Sequence, residues 1–481
     1  MAVPRQPSPK RQCWECLRRR LVCDFGRPGC KKCCNAGKEC PGYDEKKPLK
    51  WLDPGRVTSK TRTKKKSPKP APSESTTPSD VEEVGFDVSR LDSLDWRDDT
   101  SDVVQSIYYY NNHLYPELLA ITELAPNPYI LYFPLKALPL LPPSIRHTMV
   151  CLSLSYRLHT LPPAAIQGYA TVSWSRIFHH RGLAIRSLSE EIGTEGTRTS
   201  DKTIAAVLVF MCFELQQPVD YRQHISGLAK LINLRGGLQK LFEVSPHLKP
   251  ALIFIGVFGN TTSPVADQIT VSAPNNLIEV ISEQWNLIFP HTLIPQQLFL
   301  YIIQINLLRA QTSTTNNYLD PGLLQIEAEE LLSQISSFSP ELWAGAHPSR
   351  QEEWSLIAAV WQSAIIIYCI ASLQSLAVLP MSSHFRAIRT AHGDLLFLHL
   401  KQALNNWQIR KYMMWPLVVS GFEAVERTMG VQTRVSHQLD SMAQDIGTGS
   451  PCKARERLEK FWASGKMTWD ECWDAPNAFV C

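Results

Sequence analysis

The sequence predicts a chain in three parts: a small metal-stabilised cysteine-rich head at residues 12–42, a disordered linker at 43–97, and a large all-α domain at 98–481. Three observations predict this. Seven of the 13 cysteines fall between Cys13 and Cys40. Between Leu52 and Val84 the only large apolar side chains are Val57 and Val81, too few to offset the entropy of ordering that stretch. Beyond Asp98, long segments carry apolar residues at three- and four-residue spacing, and alternating strand patterns are scarce.

Composition bounds the class. With 44% hydrophobic and 9% aromatic residues, the chain is neither collagen-like nor wholly disordered. Residues 1–70 hold 20 of the 49 basic residues and six of the 45 acidic ones, a net of +14, while the remainder nets −10. A basic head on an acidic body points to a polyanion as the partner of the head alone. The odd cysteine count, and a polar, basic start at residues 1–11 with no apolar run, argue against a secreted disulfide framework. The thiols are expected to be reduced or metal-bound.

In chain order, residues 1–11 form a basic lead-in. The cysteines then follow as Cys13-x2-Cys16-x6-Cys23-x6-Cys30-x2-Cys33-x6-Cys40, two copies of one triplet back to back. Two intervening residues let one turn present both thiolates to one ion, and zinc favours tetrahedral thiolate coordination. Two such ions need eight contacts and six cysteines supply six, so two thiolates must bridge. The six-thiolate, two-zinc cluster then carries a formal charge of −2, which Arg18, Arg19, Arg20, Lys31 and Lys32 are placed to offset. Cys34 would break the spacing symmetry and is set aside as a non-ligand. The simpler readings are a reduced cysteine loop or a single zinc ribbon using four of the six.

These triplets resemble the fungal binuclear zinc cluster family of transcription factors, Zn2Cys6. The resemblance implies two short helices, each following the first cysteine of a triplet, with Cys13 and Cys30 bridging two zinc ions. Pro28, two residues before the fourth cysteine, and Asp24, after the third, also match. The family reads a CGG-like triplet in the major groove with basic residues between the second and third cysteines. Here that implies Arg20, and less strongly Arg19, for base edges, since arginine pairs bidentately with guanine. Leu17 and Val22 stand where the family usually has basic residues. Arg18, Lys31 and Lys32 read as phosphate contacts, which position without specifying sequence.

In the linker, Lys60, Arg62, Lys64, Lys65 and Lys66 read as a nuclear import signal, with an extra electrostatic contact to DNA or a plain solvated charge run as the alternatives. No heptad pattern follows Cys40, so no coiled coil adjoins the head. Helices are then expected over 102–120, 144–158, 164–192, 202–217, 221–242, 323–337, 354–378, 391–407 and 454–462, separated by proline-rich breaks, with Gly236 and Gly237 stopping one of them. Residues 354–384 lack formal charge, but Gln362, Ser363, Ser372, Gln374 and Ser375 interrupt them, so the reading is a buried core helix and no membrane partner.

The helical part holds no Walker loop, GxGxxG, HExxH or GxSxG pattern. His179, His180 and His224 read as surface or satisfied core residues, and Tyr108–Tyr110 as core. It resembles the second type of fungal-specific transcription factor domain. The matching stretches are His224, Gly227, Leu231, Ile232, Arg235, Gly236 and Gly237, then Trp415-Pro416 with Gly421, Phe461-Trp462 and Trp469-Asp470. Cys40-Pro41-Gly42-Tyr43 with Leu49 and Trp51 is similar to the sequel in regulators of the acriflavine-sensitivity control type.

The expectation is therefore a nuclear, sequence-specific regulator of RNA polymerase II genes and not an enzyme. It takes two zinc ions per chain and has double-stranded DNA as its partner. Coregulators or the transcription machinery are further partners, and monomer and homodimer both stand open. The rivals are a nucleic-acid-binding protein that uses backbone contacts only, and a thiol or metal sensor.

Overall fold

The computed structural model describes residues 12–19, 21–38, 40, 41, 43, 99–121, 124–128, 130–161, 169–215, 222–237, 240, 249–268, 277–313 and 320–479. The lead-in and the linker through residue 98, apart from Tyr43, lie outside the described residues, as do Lys60, Arg62, Lys64, Lys65 and Lys66. The chain divides into two units, Met1–Asp87 and Val88–Cys481.

In the first unit the described helices are α1 (Trp14–Arg19) and α2 (Lys31–Cys34). The buried side chains are Cys13, Cys16, Cys23, Cys30 and Cys33, with Cys40 and Tyr43 packed against them. No aliphatic core accompanies them among the described residues.

In the second unit every regular described element is helical. It opens with α3 (Asp99–Tyr109), which continues through a π turn, Tyr110–Leu114, into α4 (Tyr115–Ile121). The next helices are α5 (Pro143–Thr160), α6 (Tyr169–Gly193), α7 (Asp201–Glu214) and α8 (Arg222–Leu234). The middle comprises α9 (Lys249–Thr261), α10 (Leu277–Glu283), α11 (Trp285–Ile288) and α12 (Gln296–Ser313). After these lie α13 (Pro321–Ser337), α14 (Pro340–Gly345), α15 (Gln351–Ser375) and α16 (Ser383–Asn405). The chain closes with α17 (Met414–Glu423), α18 (Met429–Ile446), α19 (Ser450–Ser464) and α20 (Trp469–Cys472).

Local chemistry sets many of these boundaries. Ser200, Asp320, Ser339 and Ser382 each accept a backbone N–H at a helix start, and prolines occupy the first turns of α5, α13 and α14. Gly236 and Gly237 follow α8 at φ of +104° and +92°, the stop expected from the sequence.

The core centres on α15, which packs against α12, α13, α14, α16 and α17. Among the described residues it alone is long and apolar enough to cross a membrane, yet 89% of its most apolar window is buried inside the domain. Gln362 is accommodated by donating to the Phe338 carbonyl at 2.7 Å.

The histidines expected to be surface or satisfied core residues divide between those roles. His179 is exposed and pairs with Asp99 at 2.9 Å. His180 is fully buried, with Nε2 3.0 Å from Asp102 Oδ2 and Nδ1 3.0 Å from His147 Nδ1. Arg176 closes that network with its Nη2 2.6 Å from Asp102 Oδ1.

Candidate metal centre and nucleic-acid face

The sequence repeat becomes a structural repeat. Cys13 and Cys30 each stand immediately before a helix, and each thiol accepts a backbone N–H three residues on, from Cys16 and Cys33, at 3.4 Å in both cases. The following turns match as well: Leu17 N–H reaches the Cys13 carbonyl at 2.9 Å, and Cys34 N–H reaches that of Cys30 at 3.2 Å.

The six cysteines form two overlapping groups of four. Cys13, Cys16, Cys23 and Cys30 are one, and Cys13, Cys30, Cys33 and Cys40 are the other, the sulfurs in each lying within 4.8 Å of one another. Each group could hold a metal ion. Cys13 and Cys30 belong to both and are 3.6 Å apart. Cys34 is exposed and belongs to neither.

Burial, and then hydrogen bonding among neighbouring sulfurs, pushes the Cys16 thiol up to about 12 and raises Cys33 further. At Cys23 burial acts in the same direction but is outweighed by backbone hydrogen bonds, which bring it down to about 7. Four convergent sulfurs per group, all buried except the partly exposed Cys40, are a soft donor set that suits zinc.

Around this core, Asp24 fixes the two halves to each other. Its carboxylate accepts the backbone N–H groups of Lys31 at 3.0 Å and Lys32 at 3.3 Å, and these hold it below the usual carboxylate range. Tyr43 donates to the Gly26 carbonyl at 2.8 Å and lies over the Phe25 ring. The Cys-Pro-Gly-Tyr sequel carried a signal for Tyr43, but nothing in the sequence identified its hydrogen-bond partner.

The basic residues are placed only in part. Arg19, at the end of α1, is exposed, as are Lys31 and Lys32 at the start of α2. The side chain of Arg18 and the whole of Arg20 lie outside the described residues. Leu17 and Val22 are exposed, so the apolar residues that interrupt the basic stretch belong to its surface and not to a core.

The second unit defines the class of protein. Residues 106–475 match the family described as the fungal-specific transcription factor domain, and the chain belongs to that family of fungal transcription factors. Along its whole length it is also 36% identical to the phomenoic acid biosynthesis cluster-specific transcriptional regulator of Leptosphaeria maculans, covering 91% of that protein. No solved structure matches.

The stretches that carried the resemblance share structural work. Trp415 and Trp469 donate their indole N–H to the hydroxyl and carbonyl of Thr261, both at 2.8 Å. Trp462 donates to the Gly421 carbonyl at 3.0 Å, and Asp470 pairs with the buried Arg309 at 2.7 Å. These motifs hold the end of the domain onto its middle.

Proposed function

We propose that this protein is a nuclear, sequence-specific DNA-binding regulator of transcription by RNA polymerase II, with a DNA-binding head at 12–42, a linker at 43–97 and a regulatory helical domain at 98–481. Two zinc ions sit among Cys13, Cys16, Cys23, Cys30, Cys33 and Cys40, with Cys13 and Cys30 bridging. One observation carries this reading: the two four-sulfur groups have these two cysteines in common, as eight contacts from six thiolates require. Zinc here is structural and serves to hold α1 and α2 in place.

Arg20 reads a CGG-like triplet, with Arg19 in support, while Arg18, Lys31 and Lys32 hold phosphates. Exposure of Arg19, Lys31 and Lys32 supports those assignments. Lys60, Arg62, Lys64, Lys65 and Lys66 carry the import signal. The name of the Leptosphaeria relative, a biosynthesis cluster-specific regulator, directs the search for target genes to biosynthetic gene clusters.

The test is selection of the zinc-loaded chain against a random DNA pool at about physiological salt. The expected outcome is enrichment of a CGG-like triplet that is lost on Arg20→Ala. Recovery of no motif from a folded chain holding two zinc ions would overturn the reading in favour of backbone-only nucleic-acid binding or thiol sensing.

A further inference from the structure

A cavity of about 380 Å³ lies within the helical domain, where α9 faces the turn at 291–294 and the junction of α18 with α19. The cavity is partly open to solvent and has the size of small-molecule sites. One wall is aromatic and rigid. Trp361 and Trp415 stack 5.4 Å apart at 7°, Phe258 packs against both at 5.8 and 5.7 Å, and the bond to Thr261 fixes the Trp415 ring.

Across from that wall, the chain turns between α18 and α19 at Gly447, whose φ of +71° and close approach to the Tyr156 ring leave no room for a side chain. Thr448 and Ser450, which follow this glycine, line the cavity together with Thr292. Among the described residues, no Asp, Glu, Lys or Arg lines it. The histidine among its described lining residues, His291, is drawn down by burial to about 4 and is neutral at physiological pH. A charged guest would lose its hydration there without gaining a counterion. An uncharged guest with a flat or flexible apolar body and one or two oxygens would cover the aromatic wall and use the hydroxyls for orientation.

We propose that this cavity binds one uncharged, largely apolar organic molecule bearing a hydrogen-bonding oxygen, and that such a molecule is an effector of the protein. The binding claim stands on the cavity alone, and only the word effector rests on the regulatory reading. The walls come from segments as far apart as Asn127 and Phe479, so an occupant ties together parts of the domain distant in sequence. It stabilises the folded state with the logarithm of its concentration over Kd.

The test uses the full chain and the neutral fluorophore N-phenyl-1-naphthylamine. Saturation near one probe per chain is expected, with quenching of tryptophan emission by transfer from Trp361 and Trp415. Dodecanol should displace the probe at least about tenfold more effectively than dodecanoate or dodecylammonium. Ala251→Phe, which fills the cavity from α9, should weaken binding by about tenfold or more, as should Ile446→Trp from the other side, each with its helical circular dichroism retained.

Absence of saturable binding would overturn the proposal, as would ionic competitors matching dodecanol, or undiminished binding by both folded variants. If neither variant folds, the competition series on the unaltered chain decides by itself. A failure here leaves DNA selection by the head untouched, so the two readings fall separately.

Discussion

Cys34 and Cys33 are neighbours of one chemistry in opposite surroundings: Cys33 is buried among the other thiols, whereas Cys34 faces solvent outside both sulfur groups. Cys34→Ser is therefore expected to keep about two zinc ions per chain by metal analysis, while Cys30→Ser, which removes a sulfur common to both groups, should lose both. Equal zinc loss from the two variants would contradict the assignment. The spacing made this distinction readable from sequence because ligand geometry constrains spacing. The environment of His291 was not readable, since it depends on burial by remote segments. With its folded pKa near 4, below the usual 6.5, the unfolded chain takes up the proton first. The resulting stabilisation is full above pH 6.5 and is lost as pH falls toward 4. The helical domain should be less stable at pH 5 than at pH 7, and His291→Gln should remove on the order of 1 kcal/mol of that loss, allowing for partial exposure. Burial holds Glu423 above its ordinary value, which acts in the opposite sense. The check is therefore the difference between the two proteins in urea titrations at both pH values, and identical pH slopes would contradict it.

At the scale of elements, α8 was readable from its polar face and the two glycines after it, and α15 from an uncharged run interrupted by Gln and Ser. Those outside the expected ranges include α9 and α12, whose apolar side chains cover most of their surface and blur the periodic signal, and also α17 and α18. Arg309 was hidden for the same reason, as a lone basic residue near the end of the apolar α12. It is fully buried, donating to the carbonyls of Asn260 at 2.7 Å and Ser263 at 3.1 Å, to the Tyr368 hydroxyl at 3.1 Å and to Asp470 at 2.7 Å. Tyr368 in turn donates to Asn306 at 2.5 Å, so one network joins α9, α12, α15 and α20. Removing one partner of a buried pair strands the other charge. Asp470→Ala should cost about 3–5 kcal/mol in urea unfolding, and Asp470→Asn distinctly less because an amide oxygen still accepts from Nη2. A loss below about 1 kcal/mol for Asp470→Ala would mean that water already satisfies Arg309. The Trp-Asp landmark near the chain end thus has a structural meaning that sequence alone could not supply, because its partner lies 161 residues away.

Across the whole molecule, the two units draw their stability from different sources. The helical domain buries aliphatic and aromatic side chains along α12, α15 and α17, so its folding follows from removing apolar surface from water. Among its described residues the head has almost nothing of that kind: the buried side chains are cysteines, and buried thiols packed against one another gain little until a cation draws them together. This division was visible in the sequence as the contrast between the cysteine zone and the apolar periodicity beyond it, although the buried ionic network and the cavity were not. It leads to a separable response to metal removal. A strong chelator should abolish DNA binding and make the head sensitive to protease, while the thermal midpoint of the helical signal moves by no more than about 2 °C, the effect of roughly 1.5 kcal/mol on a domain this large. Readdition of zinc should restore DNA binding, because the metal supplies the folding free energy of the head alone. A chelated chain whose head still resisted protease would show that contacts other than metal hold α1 and α2. A coincident collapse of the helical signal would show that the two units fold as one.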